Sequence, residues 1–319
     1  MVQLVLIGVS AGAATALLFA SIASGSLLSV VLFYLAPLPI LIAALGWSHW
    51  AALVAAVVAS SSLAAVFGAF FFIAFLVGIG LPAWWLGYLA LLARPAGAGD
   101  GPDALEWYPV GSLVVWAAML SGAIVIAAIF NFGTDLPSFQ AALREGLDRM
   151  LRTQGAAPAG RLTDRGRLIE FLVAALPPAA AVLTTITNLL NLWLASRIVK
   201  FSGRLRRPDS DLSAMQFPSF APPLAAAAVA GSFLPGLLGV ACGVLAAAML
   251  MAYAVLGFAV LHAITRGMNS RPLLLAGIYV AVAVFGWPVL VMTLLGLADA
   301  AFDFRGRAAR KSGPPAPRE

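Results

Sequence analysis

Apolar runs about 20 residues long, set apart by short polar or glycine-bearing breaks, dominate this chain, and a run of that length predicts a helix that crosses a bilayer. Eight such stretches stand out. The first runs from Gln3 to Ile22 and stops at Ser24-Gly25-Ser26; the second covers Leu27 to Leu45 and contains Pro37 and Pro39. Ala51–Phe67 and Ala69–Ala93 follow, parted by Gly68, and Pro109–Phe130 is the fifth. The sixth, Phe171–Ser196, holds Pro177-Pro178, which are expected to interrupt it. Residues 217–264 are apolar for longer than one helix needs, so they hold either one span with a re-entrant piece or two spans. Pro272–Ala298 is the last run, with a break at Trp287-Pro288. Trp47 and Trp50, then Trp84, Trp85 and Tyr88, mark headgroup depth, where amphipathic rings sit best.

One sizeable interval, 132–167, lies outside this pattern. Leu136, Phe139, Leu143, Leu147, Met150 and Leu151 recur there at helical spacing, with Arg144, Glu145, Asp148, Arg149 and Arg152 on the other face. Asp135 before Pro137 is a helix start, and Glu145–Arg149 and Asp148–Arg152 are favourable four-apart pairs. Two readings fit: an amphipathic helix in the membrane interface, or a helix packed on the chain's own spans. A flexible stretch, Gly155 to Gly160, is expected after it.

Composition turns this pattern into a membrane assignment. With 62% hydrophobic and 10% charged residues and a mean hydropathy of +0.99, the chain falls far below the roughly 25% charged residues of a soluble domain. A soluble enzyme, a soluble binding module and a disordered chain are excluded together. The formal charge of +6 is scattered through the short segments between spans, where basic residues meet lipid headgroups and set topology. It forms no concentrated patch, so nucleic acid is not an expected partner. No basic residue precedes the first apolar run, which is therefore expected to be a retained span. Eight spans with the N-terminus inside and nine with it outside balance the basic residues equally; eight with both ends inside is the expectation. The single cysteine, Cys242, can form no internal disulfide.

The search for chemistry is mostly negative. There is no Walker loop, His-Glu-x-x-His, Gly-x-Ser-x-Gly or dinucleotide fingerprint. A non-enzymatic protein is expected, with no catalytic residue, metal or cofactor. The best polar cluster is Thr184-Thr185-Ile186-Thr187-Asn188-Leu189-Leu190-Asn191, in which Thr184, Thr187, Asn188 and Asn191 fall within an arc of roughly 100°. Amides are costly in hydrocarbon, so this face points into the bundle. It either holds a neutral or weakly polar ligand, with the double proline freeing backbone groups for it, or hydrogen-bonds to neighbouring helices. His262 closes a long apolar helix, where it either caps carbonyls or serves as a ligand contact. Ser60-Ser61-Ser62 is expected to bond back to its own helix. Asp299 and Asp303, with Arg305 and Arg307, are read as interfacial anchors, with Asp303–Arg307 a four-apart pair; Asp299 is also a functional candidate. Small residues recur four apart at Gly8, Gly12, Ala16 and Ala20, and again at Gly239 and Gly243. Such a stripe admits another helix closely, either from the same chain or from a second protein.

Ala36-Pro37-Leu38-Pro39, Leu261-His262 with Arg266 and Arg271, and Leu295-Gly296-Leu297-Ala298-Asp299 followed by Asp303-Phe304-Arg305 resemble the YybS-like predicted membrane proteins, a bacterial family with no assigned activity. The resemblance covers nearly the whole chain and implies a bacterial cytoplasmic (inner) membrane location. That family is in turn distantly similar to the substrate-binding subunits of energy-coupling-factor vitamin transporters. Those are helical bundles that hold a small nutrient and dock a partner through a small-residue face on the first helix, to which Gly8–Ala20 would correspond. This chain departs from them in its extra spans and the 132–167 insertion.

The expectation is an all-α polytopic transmembrane bundle of about eight spans with one interfacial amphipathic helix. Residues 1–304 form one membrane domain and 305–319 a basic, proline-rich, disordered tail. The leading function is a non-enzymatic component, lodged in the lipid bilayer, that binds a small solute or lipid as part of a transporter. The candidate ligand contacts are Thr184, Thr187, Asn188, Asn191 and His262, and a membrane partner docks at Gly8, Gly12, Ala16 and Ala20. The rival is a ligand-free scaffold or assembly factor for cell-envelope machinery.

Overall fold

Helices in the computed structural model, which describes residues 2–95, 105–153, 162–208, 212 and 215–305, start and stop where glycine, proline or a short polar side chain interrupts an apolar run. The stretch 155–160 and the tail from 306 onward, including Arg307, lie outside the described residues. Helix α1 (Val2–Ala20) tightens into a 3₁₀ turn and ends at Gly25, whose φ of 67° suits glycine. The Ser26 hydroxyl accepts from the Ser29 amide to start α2 (Leu27–Tyr34), which stops short of Pro37 before α3 (Leu38–Gly46). The Ser48 side chain caps α4 (His49–Phe67). Helix α5 (Phe70–Phe75) passes through a π turn, Leu76–Gly80, into α6 (Leu81–Ala90). The widened turn sits just ahead of Pro82, whose ring cannot take a regular helical bond.

A short hairpin follows, β1 (Ala93–Pro95) antiparallel to β2 (Leu105–Trp107), with Arg94 opposite Glu106. Their exposed ion pair, 2.8 Å, holds the Glu106 carboxyl below its ordinary range and raises the Arg94 guanidinium. Then come α7 (Val110–Phe132), α8 (Leu136–Thr153), α9 (Leu162–Phe201), α10 (Ala221–Gly231), α11 (Gly236–Ile264), α12 (Arg271–Phe285) and α13 (Pro288–Phe302).

The architecture is the expected all-α polytopic bundle; the 272–298 run and the double proline of α9 depart from the pattern read in the sequence. Among the described residues seven segments are long and apolar enough to cross a membrane. The eighth, 272–298, divides at Gly286 into α12 and α13; each has 15 residues, about 22 Å of helix against a hydrocarbon core of about 30 Å. The second span is two helices. The 217–264 run resolves into the short α10 and the 29-residue α11. Pro177 and Pro178 do not interrupt α9, which continues for 40 residues; it packs on α3, α7, α8 and α11, and neighbouring helices let a membrane helix tolerate proline.

Helix α8 begins as expected, with the Asp135 carboxylate accepting from the Ser138 amide at 2.8 Å, and both four-apart ion pairs form at 2.7 Å. Phe139 is buried, and Leu136 and Leu143 pack on the same core, so α8 leans on α7 and α9 through its first half. Met150 near its far end is exposed.

Two cores form. One gathers α3, α4 and α6, the other α7, α10 and α11. Helix α9 joins them, giving Ala195 and Val199 to the first and Ala181 to the second. The Gly8–Gly12 stripe faces α4 of the same chain. A Cβ on Gly8 would lie 2.7 Å from Val54 Cβ, and one on Gly12 2.7 Å from the Ala55 carbonyl oxygen. Ala16 is buried and Ala20 half-buried on the same helix. Gly8 beside Val54 and Gly12 beside Val58 make α1 and α4 parallel. Gly12→Ala is expected to cost roughly 1–3 kcal/mol, the usual toll of overpacking, measured as loss of thermal stability in detergent; unchanged stability would mean the seam is looser than it looks. Gly239 and Gly243 make no such seam: a Cβ at 239 would strike the Leu234 carbonyl of the preceding turn, and one at 243 would meet only Ser232, at 3.7 Å.

Candidate functional site

The polar face of α9 sits where the two cores meet, and its partners come from both. Asn188 is buried, and its amide nitrogen donates to the Ser121 hydroxyl of α7 at 3.2 Å; Ser121 donates onward to the Ala117 carbonyl at 2.7 Å. Asn191 is fully buried. Its nitrogen donates to the Tyr34 carbonyl of α2 and to the Thr187 carbonyl of its own helix, both at 2.8 Å. Two carbonyl acceptors beside one end of the amide identify that end as NH₂.

The Tyr34 carbonyl is available for a local reason. Three residues on stands Pro37, which has no N–H, and the Leu38 amide turns to the Leu35 carbonyl instead. The freed backbone group expected from Pro177-Pro178 therefore comes from the second span, at the α2–α3 break. The Oδ1 of Asn191 is buried with no donor. Leaving such an acceptor unmet costs about 1–3 kcal/mol. The Thr15 hydroxyl of α1 is likewise buried and unpartnered.

Thr184 and Thr187 are half-buried, and Thr187 spends its hydroxyl on the Leu183 carbonyl. Thr185, left out of the arc drawn from sequence, is fully buried and donates to the Ala181 carbonyl. The structure thus brings Asn188 and Asn191 to the junction of the two cores, Thr184 and Thr187 to its edge, and His262 elsewhere. His262 Nδ1 pairs with the Phe258 carbonyl of its own helix at 2.9 Å, and its ring lies against Tyr279. Ser60 and Ser62 bond back to the Ala56 and Val58 carbonyls. Ser121 and the Pro37 break were the partners that sequence reading missed. The signals were a mid-run serine in the fifth apolar stretch and a proline deep in the second.

Asp299 is 4% exposed and pairs with Arg305, whose Nη2 lies 2.8 Å from Oδ2 and also donates to the Met215 carbonyl at 2.7 Å. The turn that brings Arg305 back uses Asp303 at φ 48°. Among the described residues no cluster of three His, Cys, Asp or Glu side chains could hold a metal ion.

The family described as predicted membrane protein (DUF2232) matches residues 13–300. The chain belongs to that family. The matched stretch takes in all of the α9 polar face, Ser121, Tyr34 and Asp299, while Gly8, Gly12 and Arg305 lie outside it. No curated protein and no solved structure matches the chain significantly.

Proposed function

We propose that this member of the family is a non-enzymatic component of the bacterial inner membrane that holds a small solute or lipid within its bundle as part of a transport system. The observation that carries the reading is the buried Asn191 Oδ1, an acceptor without a donor beside a broken helix. Broken helices next to polar side chains are how many transporters hold their cargo at depth. A guest with a hydroxyl, amine or amide N–H would satisfy Oδ1, with Thr184 and Thr187 at the edge of the contact and Asn188 keeping α7 in place.

The test is mass spectrometry of small molecules retained by gently solubilised protein. Asn191→Leu is expected to lower the retained guest by about tenfold, the worth of one lost buried hydrogen bond. Asn188→Leu is expected to cost about 0.6–2 kcal/mol of stability, as helix-to-helix contacts in membranes do. If Asn191→Leu retained a guest as well as the native protein does, the site assignment would fall.

The second reading, a scaffold for envelope machinery with no ligand, draws on a different observation: both amide nitrogens already serve Ser121 and Tyr34. The partner-docking role of Gly8, Gly12, Ala16 and Ala20 would require α4 to yield that face. Gly12→Leu separates the cases, because loss of a co-purifying partner without loss of thermal stability would favour docking.

A further inference from the structure

We propose a second binding site, independent of α9, for an anionic phospholipid in the groove between α1 and α3. The groove encloses about 430 Å³. Leu6, Ile7 and Ala11 of α1 form one wall and Pro39, Ile42 and Ala43 of α3 the other, and Trp47 also lines it. Its one other polar side chain, Ser10, spends its hydroxyl on the Leu6 carbonyl. Apart from the Trp47 indole N–H, which is buried without a partner, these walls offer a polar solute no hydrogen bond, whereas an acyl chain needs none.

Charge is supplied beyond Trp47. The Arg204 guanidinium lies over the Trp47 ring, 4.6 Å from its centroid, and Arg204 makes no ion pair among the described residues. Stacking orients the guanidinium plane and leaves its N–H groups for an anion.

Depth agrees with this chemistry. The segment carrying Arg204 packs at the end of the bundle where Arg207 donates to the Ala90 and Tyr108 carbonyls, burial lowering the Arg207 pKa. The rings of Trp84, Trp85, Tyr88 and Trp116 cluster at the same end. Clustered tryptophan and tyrosine mark headgroup level. A lipid with one chain between α1 and α3 would carry its phosphate to Arg204, as basic groups at membrane surfaces recruit anionic headgroups. An apolar slot with one cation at its interfacial end matches a phosphatidylglycerol-like molecule and gives a zwitterionic lipid less to hold.

The full-length protein, delipidated in detergent, is titrated with dioleoyl-phosphatidylglycerol and dioleoyl-phosphatidylcholine and read by native mass spectrometry. The native chain is expected to prefer phosphatidylglycerol by about fivefold, the effect of one basic residue near a headgroup. Arg204→Gln should erase that preference, weakening phosphatidylglycerol binding more than phosphatidylcholine binding. Ser10→Trp, at an exposed position on the groove wall, should weaken both lipids, and Ile42→Trp from the facing wall should repeat the result if the first variant folds poorly. Millimolar inorganic phosphate should not compete. Selectivity surviving Arg204→Gln, both lipids binding normally to a folded groove-filled variant, or displacement by phosphate alone would each overturn the proposal. Asn191→Leu is expected to leave these affinities untouched, so this site and the α9 reading can fail separately.

Discussion

Gly257→Leu is expected to separate α13 from α11 and leave the C-terminal segment open to protease. A Cβ on Gly257 would lie 1.8 Å from the Met292 carbonyl oxygen, and one on Gly296 2.0 Å from the Tyr253 carbonyl oxygen. Both obstacles are backbone, so no flexible side chain can swing aside. Helices in lipid gain nothing from hiding apolar surface from each other, and their association rests on close packing and hydrogen bonds. A leucine that holds the axes apart therefore removes most of what keeps α13 in place, well beyond the roughly 1–3 kcal/mol of ordinary overpacking. Limited proteolysis and thermal unfolding in detergent read the effect. Gly277→Leu is the control, since nothing lies within 4 Å of a Cβ there; equal behaviour of the two variants would remove the seam from the account.

Asp299→Ala is the second large effect. The carboxylate accepts from the Arg305 backbone amide at 3.2 Å and from its Nε at 2.9 Å, with Nη2 at 2.8 Å. The Arg305 side chain is only 14% exposed. Removing one partner of a buried pair leaves the other charge without compensation and costs about 3–5 kcal/mol. The loss should loosen both the end of α13 and the Met215 segment, because Arg305 also ties the Met215 carbonyl. Replacing both partners, Asp299→Leu with Arg305→Met, should recover much of the stability, since no charge is then stranded. Thermal unfolding of the two single variants and the double variant closes the cycle. A double variant no more stable than Asp299→Ala would show that the pair does not act through stranded charge.

Asp299 illustrates how far sequence reading reaches. Its place at the end of an apolar run marks it for attention, but the pattern names no partner for it, and the four-apart pair expected beside it, Asp303 with Arg307, reaches beyond the described residues. The αL turn at Asp303 folds the chain back and gives Asp299 to Arg305. The polar face of α9 behaves similarly. Helical spacing finds Asn188 and Asn191 directly, while Thr185 is buried by the packing of other helices on α9, which spacing alone cannot know. The small-residue stripe on α1 is equally visible in the sequence, but which helix fills it is not.

Local composition determined the membrane, the helices and most of their ends, because a peptide group in lipid must be bonded internally and a long continuous apolar run can do this only as a helix, and glycine, proline and capping serines act within a turn of themselves. Tertiary packing alone decided which group each buried polar atom meets. Asn188 and Ser121 are 67 residues apart, and Asn191 and Tyr34 are 157 apart. Those distances close only when α2, α7 and α9 settle into one register, and that register is set by the shapes of whole helix faces rather than by any residue's own preference.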